Sequence, residues 1–151
     1  MLWAVLAGIA LLIILGLGFY AGKLLFLLKQ QKDRQQAARE TRIANITESI
    51  ILIAKAMDQQ QCELSEGVIR IVNLLNALPL AAPPSYKDHY PHIHTLFVEV
   101  SGFAILEARQ QLTKSERRKQ DKAREQIESE HESKVLSELP ALQAYCMSLI
   151  K

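Results

Sequence analysis

Three histidines, His89, His92 and His94, fall within the six-residue stretch HYPHIH, with Asp88 and Tyr90 beside them. Imidazoles at such density can hold Zn, Cu or Ni. The spacing works against that chemistry. The stretch crosses from a loop into a helix, and residues two apart on a helix point about 200° apart. No second group of ligands accompanies it. Metal or cofactor handling by His89, His92 and His94 is therefore the alternative expectation, and no cofactor is assigned. Glu128 and His131 form one E-x-x-H. A di-iron bundle needs two such motifs and two further glutamates from facing helices, and the chain holds one. Serine, histidine and aspartate are present without a nucleophile elbow. The glycines, Gly8, Gly16, Gly18, Gly22, Gly67 and Gly102, are too scattered to build a phosphate-cradling loop. No enzyme activity and no catalytic residue are expected.

The richer chemistry is electrostatic. Residues 114–124 carry Lys114, Arg117, Arg118, Lys119, Lys122 and Arg124 against Glu116 and Asp121, six minus two, net +4. Residues 125–138 carry Glu125, Glu128, Glu130, Glu132 and Glu138 against Lys134, five acids to one base, net −4. Only Ala123 and Ile127 are apolar between 114 and 134, so a helix there must be solvated or covered by a partner. Pairs such as Arg124–Glu128 and Glu130–Lys134 support it at i,i+4. The basic-then-acidic order opposes the helix dipole. Lys114, Arg117, Arg118, Lys119, Lys122, Arg124, Glu125 and Glu128 are the expected docking residues for a protein partner. Nucleic acid is not an expected partner, because the acidic half repels phosphate.

The elements that carry these residues begin with an apolar run. Met1–Gly22 contains no Asp, Glu, Lys, Arg or His, and Leu24–Leu28 extend it past Lys23. About 20 apolar residues cross a hydrocarbon core of about 30 Å. Lys23 can snorkel to the headgroups. Trp3 and Tyr20 lie about 26 Å apart on a helix, where interfacial aromatics belong. A cleaved signal peptide competes with this reading, Gly16 and Gly18 imitating its cleavage site. It is disfavoured because no Lys or Arg precedes the run, which is also long. Lys23, Lys29, Lys32, Arg34, Arg39 and Arg42 follow the span and only Met1 and Leu2 precede Trp3. The positive-inside rule then puts the C-terminal part in the cytoplasm, in a bacterial cell at the inner membrane. Ala4, Gly8, Gly18 and Gly22 share a helix face and could bring two spans together as a homodimer.

Residues 29–42 are polar all round and read as a basic helical stalk facing the lipid headgroups. The organisation expected is an anchor at 1–28, this stalk at 29–42 and an all-helical domain at 43–151. In the domain, Ile43, Ile46, Ile50, Ile53 and Met57, with Ala54, form one apolar seam that the Gln59–Gln61 run ends. A second helix spans Leu64–Leu78, with Ser65 as N-cap and Val68, Ile71, Val72, Leu75 and Leu78 inward. Pro79 stops it. After the loop 79–91, Pro91 opens a helix through Ile93, Leu96, Phe97 and Val100 towards Leu112. Thr113 and Glu116 have capping-box spacing. Pro140 is expected to break the last stretch and begin a short final helix carrying Leu142, Tyr145, Cys146, Leu149 and Ile150. The fold class is all-α, one transmembrane helix continuing into a bundle of four to five helices. Cys62 and Cys146 are expected to remain reduced in the cytoplasm.

The segment Cys62-Glu63-Leu64-Ser65-Glu66-Gly67-Val68-Ile69-Arg70-Ile71, with Glu116-Arg117-Arg118 and Asp121-Lys122-Ala123-Arg124-Glu125, resembles an uncharacterised proteobacterial family. Its members are short single-pass membrane proteins with a helical domain of unknown function. The resemblance implies architecture and bacterial origin, and carries no activity or site. The function expected is a membrane-tethered helical interaction module whose partners are membrane lipid and protein.

Overall fold

The structure is a computed structural model that describes residues 1–103 and 109–150. Five helices, and no strand, occur among them: α1 (Leu2–Asp58), α2 (Leu64–Asn76), α3 (Tyr86–His89), α4 (Pro91–Val100) and α5 (Lys114–Leu149). The all-α class holds. The chain divides into two compact units, Met1–Thr41 and Arg42–Lys151.

The first unit is helical, and its described side chains are exposed. It holds a segment long and apolar enough to cross a membrane, with a mean hydropathy of 2.5 and none of it buried within the chain. Gly16, Gly18 and Gly22 do not break the helix. The polar stretch from Lys29 is helical as well. It is laced locally by Gln36 Nε2 donating to Glu40 (3.0 Å) and Thr41 Oγ1 to the Ala37 carbonyl (2.9 Å).

The second unit takes its core from the apolar faces read in the sequence. Ile46, Ile50, Ala54 and Met57 of α1 are buried with Val68, Ile71, Val72 and Leu75 of α2. Ile93, Leu96 and Val100 of α4 and Val135, Leu139, Leu142 and Cys146 of α5 complete the cluster. Ile43, Ile53 and Phe97 are only half-buried at its margin. Thr47 is fully buried inside α1 and donates its hydroxyl to the Ile43 carbonyl (2.8 Å). A polar group so satisfied adds no desolvation penalty. Gln60 ends α1 in the left-handed region (φ 55°), and the Gln61 amide reaches back to the Ala56 carbonyl at 2.8 Å, the bond of a Schellman closure.

Five local expectations need correction. Ser65 is not the N-cap of α2. Glu63 takes that position without a side-chain cap, and Ser65 is buried one residue inside the helix. Its hydroxyl donates to Glu128 of α5 instead of accepting from a local amide as a cap would. The helix α2 ends at Asn76, so Leu78 is buried from the loop rather than from the helix. The loop after it contains the short α3. Finally, α5 runs unbroken through Pro140. A mid-helix proline costs about 3 kcal/mol. Here Pro140 sits on the exposed side while Leu139, Leu142 and Cys146 are buried around it, and burial of such side chains is worth about 1.5–3 kcal/mol each. The core packing keeps the chain helical across the proline. Nor does α4 continue towards Leu112 as expected: it ends at Val100 with Ser101 as its C-cap, and residues 104–108 lie outside the described residues.

Candidate interaction surface

The charged helix α5 is built from its cap inward. The Glu116 amide donates to Thr113 Oγ1 (3.3 Å), and the Thr113 amide donates to Glu116 Oε2 (2.8 Å), a closed capping box. The Thr113 hydroxyl, which donates to Glu116 Oε2 (2.7 Å), and then the Thr113 amide hold the Glu116 carboxyl below its ordinary range. Arg117 Nε donates to the Leu112 carbonyl at 3.2 Å. Asp121 pairs with Arg109 at 2.7 Å, and this hydrogen-bonded contact draws its carboxyl down. Both acids of the basic half are therefore already engaged.

The acidic half turns partly into the fold. Glu128 accepts from the amide and hydroxyl of Ser65, in the first turn of α2. Glu138 accepts from the amides of His92 (3.0 Å) and Ile93 (2.9 Å), in the first turn of α4. One helix thus supplies carboxylates to the N-terminal ends of two others, where unsatisfied amides and the positive dipole end favour them. Arg124 bridges Glu63 (3.2 Å) and Glu128 (3.8 Å), and His131 Nε2 lies 3.1 Å from Glu99. Glu130 accepts from Gln126 (3.2 Å) rather than from Lys134.

The eight residues expected to dock a partner therefore separate. Lys114, Arg117, Arg118, Lys119 and Lys122 are exposed, and Glu125 is exposed beside them. Arg124 and Glu128 are half-buried and tie α5 to the first turn of α2. No local pattern in the sequence marks Glu138, Glu99 or Glu63 as partners. Their contacts span 45, 32 and 61 residues.

The other candidate groups are placed apart. His89 Nδ1 lies 2.9 Å from the Ser85 carbonyl, His92 occupies the first turn of α4, and the His94 ring stands 6.0 Å from that of Phe97. Among the described residues no three His, Cys, Asp or Glu side chains are arranged to hold a metal ion. Glu128 and His131 go to different partners. Beneath the proline loop lies a cavity of about 300 Å³ floored by Val72, Leu75 and Ile93 and edged by Tyr86, Tyr90 and His94. Burial pushes the Tyr90 phenol up to about 12, and burial with the 3.3 Å contact to Tyr145 raises that of Tyr86. Both phenols stay neutral at physiological pH and serve packing. In the apolar segment Gly8, Gly18 and Gly22 have open space where a Cβ would stand, and Ala4 is exposed.

A family model described as "Protein of unknown function (DUF2489)" matches residues 14–142. An "Uncharacterized protein" of Haemophilus influenzae is 38% identical over 133 residues, covering 87% of this chain and 86% of its own. No solved structure matches the chain.

Proposed function

The chain belongs to the DUF2489 family, proteins of unknown function found in a proteobacterium, and we propose for it the role of a non-enzymatic, membrane-tethered helical interaction module. One observation carries the reading. The apolar segment holds no residue buried within the chain, and Trp3, Phe19, Leu25 and Phe26 are each more than 60% exposed. Each large apolar side chain left in water forgoes about 1.5–3 kcal/mol. A bilayer removes that penalty and satisfies the length requirement. The cations from Lys23 to Arg42 then lie on the cytoplasmic side of the inner membrane. The helical domain behind them presents Lys114, Arg117, Arg118, Lys119 and Lys122 as its docking surface, and tethering raises the local concentration of whatever binds there.

Membrane extraction and a topology reporter test the proposal. The full-length chain is expected to resist alkaline carbonate and to require detergent. A reporter active only outside the cytoplasm, fused after Lys151, is expected to be silent. Release of a shortened, carbonate-soluble chain would show a cleaved signal sequence instead. A strongly active reporter would reverse the orientation.

A further inference from the structure

We propose that the basic face of α5 docks onto anionic phospholipid headgroups, so that the occupant of the surface named above is the bilayer itself. The inference rests on the tethered reading and assigns the chemistry of its docking surface. Lys114, Arg118 and Lys122 follow one another at i,i+4 along one side of the helix, with Lys119 and Arg117 flanking them. All five are exposed. Of the nearby acids, Glu116 is committed to the Thr113 cap and Asp121 to Arg109, which leaves Glu125 as the exposed acid beside five cations. The capping box has also engaged the end of the helix, so the ligand-facing groups are the side chains.

Composition decides between lipid and protein. A stable protein interface has a desolvated centre built on aromatic or apolar anchors. The stretch Lys114–Lys122 offers none, its side chains being Lys, Ser, Glu, Arg, Gln and Asp. Headgroup phosphates need only cations within a Debye length, and Lys and Arg clusters meet that need. The charge of the whole domain sharpens the point. From Arg42 to Lys151 thirteen Lys and Arg stand against fourteen Asp and Glu, net −1. Such a domain is not drawn to an anionic surface as a body. Only the α5 face is attracted, and docking there fixes the domain's orientation.

The test uses the full chain reconstituted into vesicles, either pure phosphatidylcholine or phosphatidylcholine with about one-third phosphatidylglycerol. A water-soluble amine reagent labels the lysines, and each site is quantified by mass spectrometry. Lys134, exposed on the acidic half of α5, is the internal reference. Labelling of Lys114, Lys119 and Lys122 is expected to slow by about threefold or more in the anionic vesicles, and to recover at about 0.5 M salt. Soluble glycerol phosphate added to phosphatidylcholine vesicles is expected to give no protection. R117E/R118E, which leaves the three reporter lysines in place, is expected to restore fast labelling. Equal rates in both vesicle types overturn the proposal. Protection in native membranes but not in anionic vesicles also overturns it, in favour of a protein partner, and leaves the tethered reading standing. Failure of the chain to remain with any vesicle defeats that reading instead.

Discussion

Gly67 sets how closely α2 approaches the end of α1. A Cβ built on it would stand 2.3 Å from Met57 Sδ and 2.6 Å from Met57 Cγ. Met57 is 2% exposed and enclosed by the core cluster, so its side chain has little room to swing aside. Two terms oppose each other in Gly67→Ala. Helix propensity favours alanine by about 0.8–1 kcal/mol. Forcing a buried side chain off its position costs about 1–3 kcal/mol. The expected net effect is a loss of about 1 kcal/mol, a fall of about 4–8 °C in Tm for a domain near this size. The assay is thermal and urea unfolding of a fragment beginning at Arg42, followed by its helical far-UV signal. The deciding measurement is a double-mutant cycle. Met57→Ala alone should cost about 2–5 kcal/mol. In that background Gly67→Ala has nothing to strike, and should stabilise by about the propensity difference. The reasoning fails if Gly67→Ala stabilises the parent fragment, or if its effect is the same in both backgrounds.

Four further outcomes are expected of the same fragment. It should be soluble and helical, and Ile50→Asp should unfold it, since Ile50 is 0% exposed and an unpaired buried carboxylate costs several kcal/mol; a sheet-dominated spectrum for the parent would refute the fold. Glu138→Ala should cost about 0.5–2 kcal/mol by removing the acceptor from the first turn of α4, and a hydrogen-exchange map should show the loss first at Ile93. Gln60→Gly should gain about 0.5–1 kcal/mol, because Gln60 sits at φ 55° where a side chain is strained; an unchanged urea midpoint would show the strain is absent. Burial pushes the Cys146 thiol up from 9.0 to about 11, so unfolding releases its proton and stability should fall as pH rises from about 9 towards 11. Cys146→Ala should flatten that part of the pH profile, and at neutral pH a thiol reagent should modify Cys62 well before Cys146.

The parts legible in the sequence are those where a residue's role depends on its own helix. The inward faces of α2 and α4 follow from i,i+3,i+4 spacing, which places Val68, Ile71 and Leu75, and Ile93, Leu96 and Val100, on one side. The Thr113–Glu116 box is equally local, and it forms as read. The illegible parts are those decided by another helix. Ser65 looks like a cap because serine before a helix usually accepts a backbone amide. It becomes a donor because Glu128 arrives from 63 residues away. The close approach of Met57 to Gly67 is likewise set by another helix. Pro140 looks like a break until the buried residues around it are counted.

The same distinction explains why the charge pattern of α5 changes meaning. In sequence, net +4 followed by net −4 reads as one dipolar surface whose partner should mirror both halves. In the fold, Glu128 and Glu138 terminate α2 and α4. Among the described residues, Lys114, Arg118, Lys119 and Lys122 have no acidic partner, and Arg117 donates only to a backbone carbonyl. A carboxylate at a helix N-terminus satisfies amides that have no other acceptor, so the fold recruits acids inward. Lysine and arginine find no such demand at these N-termini and stay in water. The asymmetry of the surface therefore follows from where the helices begin: Glu128 and Glu138 are drawn inward, while Glu125, Glu130 and Glu132 stay exposed on the same helix as the cations.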